Sequence, residues 1–347
     1  MKRFAVCAMI VVLLAGCAAP QTPAGEQTEN SPGINPYDDV RQMDALGIKR
    51  DISGVDFTGQ DELMKTLRFN LDTEWPDSAL NLSEWNPGRV METAKNPGLG
   101  VRALHRRGIT GEGVRVAIID QAMYLDHPEF AGKVTTYKMI GCAGNRSMHG
   151  PAVASLLVGE HTGTAPGAEL YFAAVQGGYD AAYCAEALDW IAAENSKLPD
   201  GEKIKVVSVS AAPSGPGSPF TRSTDLWDDA VARAEADGIL VLDCTGDHGW
   251  INSCYYDQED PDDILRCRPG FPGMGSMYTQ AAGAVCAPTS PRTTAEEYVE
   301  GECSYQYTGR GGLERAIPYC GGVLAMGWQV CPGFSGEEMK AVLLETA

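Results

Sequence analysis

A three-layer α/β fold is predicted, with a mostly parallel central sheet and helices on both faces. Two observations point there. Nearly continuous apolar runs of strand length recur at residues 114–120, 169–175, 204–210 and 238–243, the pattern that buried parallel strands require. Between and after them lie segments with helical periodicity, so strand and helix units alternate along the chain.

The first elements lie outside that pattern. Lys2 and Arg3 precede an apolar stretch, residues 4–15, which reads as an export signal and is shorter than the ~20 residues of a membrane span. Leu14-Ala15-Gly16-Cys17 resembles a bacterial lipobox. That resemblance implies removal of residues 1–16, a lipid on Cys17, and an exported chain held at a bacterial membrane or cell surface by the lipid alone. A plain secretory signal with a coincidental cysteine is the alternative. Residues 17–36 are rich in Pro, Gly, Gln, Glu and Thr and read as a tether, because such a stretch buries too little surface to offset ordering entropy. Residues 37–95 form a mixed polar extension with Trp75 and Trp85 and a short helix expected over 61–69. A reduced pro-region, an extension docked on the main domain, or partial disorder all fit it, and the docked extension is the preferred reading.

The main domain is expected over 96–347. A helix is predicted at 99–107, ended by Gly108, followed by the strand 114–120. A helix beginning near His149 runs to Val158. The strand 169–175, helix 179–195, strand 204–210, helix 224–237 and strand 238–243 come next. Residues 249–308 read as irregular, with Gly, Pro, Tyr and several cysteines. The carboxylates of Asp257, Glu259, Asp260, Asp262 and Asp263 could ligate calcium, which takes oxygen donors; a solvated acidic loop is the simpler reading, and no cofactor is otherwise expected. An amphipathic helix at 335–346 closes the chain.

The net charge is −19, which argues against nucleic acid as a partner. Of eleven cysteines, Cys7 leaves with the signal and Cys17 takes lipid. Export permits disulfides among the remaining nine. Cys254 with Cys267, and Cys286 with Cys303, would each close a polar loop. No spacing suggests zinc.

Chemistry is carried by short motifs in a fixed order. Val116-Ala117-Ile118-Ile119-Asp120 ends a strand in a carboxylate, and Asp126-His127-Pro128-Glu129-Phe130 comes after it. Ser147-Met148-His149-Gly150-Pro151-Ala152-Val153-Ala154-Ser155 opens a helix with a histidine. Thr164-Ala165-Pro166-Gly167-Ala168-Glu169-Leu170 forms a turn, and Val206-Val207-Ser208-Val209-Ser210 a strand. Gly312-Leu313-Glu314-Arg315-Ala316-Ile317-Pro318 opens the last long helix. Together these resemble the aspartate, histidine and serine motifs of the subtilisin-like serine peptidases, in the chain order of that family. The resemblance covers residues 96–347 and implies a subtilisin-like three-layer fold acting on extended peptides. It assigns Asp120 and His149 to the orienting and general-base positions, and Ser208, Ser210, Ala211 and Ala212 to the strand beside which substrate pairs.

The same resemblance exposes a departure. The family's serine lies four residues before a proline, and four residues before Pro318 stands Glu314. A carboxylate cannot supply the attacking alkoxide. In the turn Thr245-Gly246-Asp247-His248-Gly249, Asp247 takes the place of the family's asparagine donor, and an ionised carboxylate accepts hydrogen bonds only. Ser304 and Thr308 are not placed to replace the nucleophile. A direct His149–Glu314 ion pair is expected, raising the histidine pKa. The sequence thus predicts a peptide-binding pseudopeptidase. The alternatives are an active secreted serine endopeptidase, or an interaction partner using residues 249–308.

Overall fold

The protein is described by a computed structural model covering residues 33–43, 47–81, 85–142, 147–245, 249–269, 283–299 and 301–347. Cys17, the signal, the tether up to residue 32, and Asp247 lie outside the described residues.

The chain begins with short elements. β1 (Gln42–Met43) and β2 (Ile48–Lys49) pair antiparallel. Then come α1 (Asp61–Thr66), β3 (Arg68–Asn70), α2 (Asp77–Leu80) and α3 (Pro87–Thr93). The expected helix over 61–69 therefore stops at Thr66, and Phe69 belongs to a strand. α4 (Val101–His105) leads into β4 (Arg115–Asp120), β5 (Val134–Ile140), α5 (Gly150–Val158), β6 (Glu169–Val175), α6 (Ala182–Ser196), β7 (Ile204–Val209), α7 (Thr224–Ala236) and β8 (Leu240–Leu242).

The five strands form one parallel sheet in the order β5-β6-β4-β7-β8. Side chains alternate across it, as the two-residue strand period dictates. Val116 and Ile118 of β4 face a core shared with Val153, Leu157 and Ile317. Ala117 and Ile119 face the opposite core, with Leu188, Ile191 and Trp227. Helices therefore cover both faces, which is why β4 reads as a continuous apolar run. β5 is not visible in the sequence because it is an edge strand, with Thr135, Lys138 and Met139 exposed and no buried run to betray it.

The described residues within 249–308 are not irregular. They contain β9 (Ile251–Tyr255), β10 (Arg268–Pro269), β11 (Val285–Ser290), β12 (Arg292–Glu296) and β13 (Ser304–Thr308). β9 pairs with β10 antiparallel and with β11 parallel. β12 pairs with β13, and β13 with β3 of the N-terminal extension. The strand signal is hidden because β12 is buried yet mostly polar: Arg292, Thr293, Thr294 and Glu296 are all covered. α8 (Leu313–Val330) and α9 (Gly336–Thr346) complete the chain. The Ser335 side chain accepts from Glu338 N and the Glu338 carboxylate accepts from Ser335 N, a reciprocal cap that fixes where α9 starts.

The extension is bound at several points. Phe57, Phe69, Trp75, Trp85 and Tyr307 share one aromatic cluster. Arg41 is fully buried. It donates to Asp39 at 2.9 Å, to Gln306 at 2.9 Å and to Glu296, and lies 4.4 Å from the Tyr298 ring centroid. The acidic segment makes its own contacts: Asp257 and Asp263 pair with Arg266, and Asp262 accepts from Gly100 N at 2.8 Å. Among the described residues no group of three or more His, Cys, Asp or Glu is arranged to hold a metal. Nor is any described helix long and apolar enough to cross a membrane. Cys254, Cys267, Cys286 and Cys303, the residues of the two expected loop-closing pairs, are all free thiols; the charge of Cys286 is felt at Cys254, and those of Glu297 and Asp126 at Cys303.

Glu297 is buried, with Oε2 accepting from Tyr124 N at 2.7 Å and Oε1 unpartnered. Burial pushes its carboxyl up to about 8, against that hydrogen bond. The folded state therefore holds a proton that the unfolded chain releases near 4.5, so the stability contributed by this group is lost as pH rises between the two values. Glu297→Gln mimics the protonated form. Its stability relative to wild type is expected to rise by a few kcal/mol from pH about 4.5 to about 8. Parallel denaturation profiles across that range would contradict this.

Candidate active site

Asp120 ends β4, so the sheet delivers its carboxylate to the crevice beyond the strand ends, where open α/β sheets bind ligands. The carboxylate is buried and accepts from Gln121 N at 2.7 Å. Its Oδ1 and Oδ2 lie 2.8 and 3.0 Å from His149 Nδ1. Since a carboxylate only accepts, Nδ1 is the protonated nitrogen.

The residues on either side of the histidine set how closely it approaches Asp120. His149 is the N-cap of α5, and Ser147 Oγ accepts from His149 N at 3.2 Å and Gly150 N at 3.1 Å. A Cβ on Gly150 would stand 2.0 Å from Gln121 O. Only glycine lets the helix begin this close to the strand end. Pro151 then occupies a first-turn position whose N–H has no helical partner to lose.

Glu314 lies in the first turn of α8, where Gly312 N donates to its Oε1 at 3.1 Å. A carboxylate at this end is favoured by the helix dipole. Pro318, four residues on, removes the N–H that would meet the Glu314 carbonyl. The preceding loop is tightly held. A Cβ on Gly309 would meet Lys65 O at 2.4 Å, and one on Gly311 would meet Thr289 O at 2.3 Å. Both the N-terminal extension and β11 therefore press on the start of α8.

The expected direct ion pair between Glu314 and His149 is not made. Glu314 engages its own helix end and lies 3.9 Å from Arg315 Nε; His149 pairs with Asp120. Glu314 still acts on the ring through space. Burial lowers the His149 pKa, but the charge and hydrogen bond of Asp120, with Glu314 behind them, raise it above the ordinary value, against Arg315. Imidazole stabilisation of the fold is thus complete below the unfolded pKa, near 6.5, and is lost as pH rises through the elevated folded value. NMR titration of His149 should give a midpoint above that of a free histidine, and Glu314→Gln should move it down. An unchanged midpoint would show that the Glu314 charge is not felt.

Among the described residues no hydroxyl hydrogen-bonds the His149 ring. Ser304 and Thr308 lie in β13, where Thr308 Oγ1 donates to Arg310 O at 2.9 Å. Cys244 is close enough to feel Glu314, Asp243 and Asp120, but burial first, and those charges next, push its thiol well up. Such a shift disfavours the thiolate form that a cysteine nucleophile needs. Asp243 accepts from Thr245 N at 2.9 Å and from Trp227 Nε1 at 3.0 Å, fixing the turn that leads toward residue 247.

The substrate strand needs revision. Ser208 is fully buried inside β7, paired with Ile118 and Leu242 on its two sides, and cannot accept a further strand. The Ala211 carbonyl accepts from Cys244 N at 2.8 Å, and that of Ala212 from Ser218 Oγ at 2.6 Å. Ser210, whose buried Oγ has no partner, and the N–H groups of Ala211 and Ala212 remain as the peptide-facing candidates. Sequence reasoning missed Arg315. It is buried, with Nη1 unpartnered, and burial lowers its pKa to about 10 against the Glu314 charge. A lone arginine inside an otherwise apolar helical stretch was the available signal.

The model of the subtilase family matches residues 111–284, which is half of the chain, so the protein belongs to the subtilase family. Asp120 and His149 fall inside the matched span and Glu314 beyond it. The subtilisin-like protease PopC of Myxococcus xanthus is 23% identical over 279 residues, covering 72% of this chain and 58% of that protein. The M-protease of Shouchella clausii is 26% identical over 265 residues, covering 71% of this chain and 62% of its own length. The chain thus spans about six-tenths of these relatives. The solved structure of Sphericase superposes with a TM-score of 0.53 at 20% identity, over 72% of this chain and 90% of that one, a likeness of fold.

Proposed function

We propose that this chain is a subtilase domain that holds extended polypeptide segments in the cleft beside Ser210–Ala212 without efficient hydrolysis. The observation that carries the reading is the pairing of an intact Asp120–His149 contact with a carboxylate at the start of α8. The base has its orienting partner, but the position from which a hydroxyl would attack carries a carboxylate, which cannot supply an alkoxide. Asp247 points the same way, since a second carboxylate would repel an oxyanion. Backbone pairing along the cleft wall supplies affinity with little dependence on side chains. The intact pair also favours a second reading, an active endopeptidase with an unrecognised nucleophile. In either case the reading keeps export and a lipid on Cys17 as the means of surface attachment.

Titration of the purified protein with a fluorescent, unstructured polypeptide tests the proposal. Saturable binding, with the polypeptide recovered intact by mass spectrometry, is expected. Cleaved polypeptide, or no saturable binding, would overturn it.

A further inference from the structure

The segment between β9 and β10 ends at Cys267, and three further thiols, on β9, β11 and α8, act on one another around it. Cys254 lies in β9 and pairs with Pro269 of β10, so Cys267, two residues before Pro269, comes toward the same sheet face, where its charge is felt at the Cys254 thiol. β11 runs parallel to β9 with Cys286 opposite Asn252, two residues from Cys254, and the charges of Cys286 and Cys320 are both felt at Cys254. Cys254 is buried and Cys267 partly exposed. Cys267 also lines a cavity of about 1000 Å³ shared with Lys65, Trp85, Arg89 and Tyr256. Since no described group there is arranged to hold a metal, thiol–disulfide chemistry is what the cluster can do.

We propose that Cys254 and Cys267 form a redox-active pair that closes into a disulfide on exposure to a small disulfide oxidant, locking the 255–266 segment that walls the cavity. The order of events is set by exposure. The Cys267 thiolate, its proton lost to solvent, attacks one sulfur of the oxidant R–S–S–R and expels one thiolate, giving a mixed disulfide. Cys254 then loses its proton, attacks the Cys267 sulfur and expels the second thiolate. Two protein thiols are oxidised, one oxidant disulfide is reduced to two thiols, and the atoms balance. Burial first, and the Asp263 carboxylate after it, raise the Cys267 pKa against the Cys254 hydrogen bond, so closure accelerates as pH rises.

Thiol counting and mass spectrometry of the intact protein treated with glutathione disulfide test this. Wild type should lose two thiols and two hydrogens, and hydrogen exchange of residues 255–266 should slow. Cys286→Ser should close equally. Cys254→Ala should stop at a single glutathione adduct on Cys267, and Cys267→Ser should not close. Closure that survives Cys267→Ser, closure that is lost in Cys286→Ser, or a full thiol count after oxidation each overturns the proposal. The exposure of Cys267 makes its serine variant a usable control should the buried Cys254→Ala fail to fold.

Discussion

Glu314→Ser combined with Asp247→Asn should raise peptide hydrolysis by several orders of magnitude over the wild-type chain. The expectation rests on what is already in place. Asp120 holds Nδ1 of His149 at 2.8 Å, and Gly150 fixes the start of α5 against Gln121. A hydroxyl at position 314 would give that base something to activate. Removing a nucleophile costs about 10⁶ in turnover, and removing one oxyanion donor about 10²–10³; both magnitudes were measured on subtilisin itself. The serine should therefore recover most of the rate and the asparagine a smaller share. Glu314→Ser alone should also lower stability modestly, because buried Arg315 loses its nearest carboxylate and α8 loses the anion at its N-terminus. Adding Arg315→Met, which removes the unpartnered Nη1, should recover that stability. Hydrolysis of a quenched fluorescent peptide and thermal denaturation measure the two effects separately. A double variant as inert as wild type, though folded, would show that the cleft lacks more than these two residues.

Arg41→Ala should be the most destabilising single change outside the sheet core. The guanidinium is fully buried, and its partner Glu296 is buried with it. Burial opposes the Arg41 charge, but the hydrogen bond it donates to Asp39 and the nearby carboxylates hold it firmly charged. Truncating one member of such a pair leaves the other uncompensated and costs about 3–5 kcal/mol. The damage should be directional. Arg41 fastens the extension to β12 and β13 through Glu296 and Gln306, so proteolysis should begin in residues 37–95. Because Lys65 O and Thr66 crowd Gly309, release of the extension should also loosen the start of α8. Replacing both Arg41 and Glu296 by methionine should cost much less than Arg41→Ala, since no buried charge is stranded. A cost below about 1 kcal/mol for Arg41→Ala would mean that the pair is not a fastening point.

The central sheet was legible because burial on both faces writes a continuous apolar run. Val116 to Ile119 could be placed from the sequence alone, and the helix at His149 was marked by the small residues after it. β5 was not legible, since a half-exposed edge strand carries no such run. The pairing of β13 with β3 joins residues more than two hundred positions apart, and its buried polar partners Arg41, Glu296 and Gln306 resemble surface residues in sequence. At the site, the element carrying each residue was readable but its contacts were not. The sequence put Glu314 at the opening of the last long helix, and α8 does begin at Leu313, yet the bond of Glu314 to Gly312 N depends on the geometry of a helix end. The occupied carbonyls of Ala211 and Ala212 depend on a turn and a loop that no spacing specifies.

Treating the wild-type protein with a fluorophosphonate probe, and mapping any adduct by mass spectrometry, tests the proposed lack of a nucleophile most directly. With a carboxylate at 314 and no described hydroxyl bonded to the His149 ring, no covalent labelling is expected, whereas Glu314→Ser should label at that residue. Stoichiometric labelling of a wild-type hydroxyl lining the cleft would contradict the proposed loss of catalytic competence.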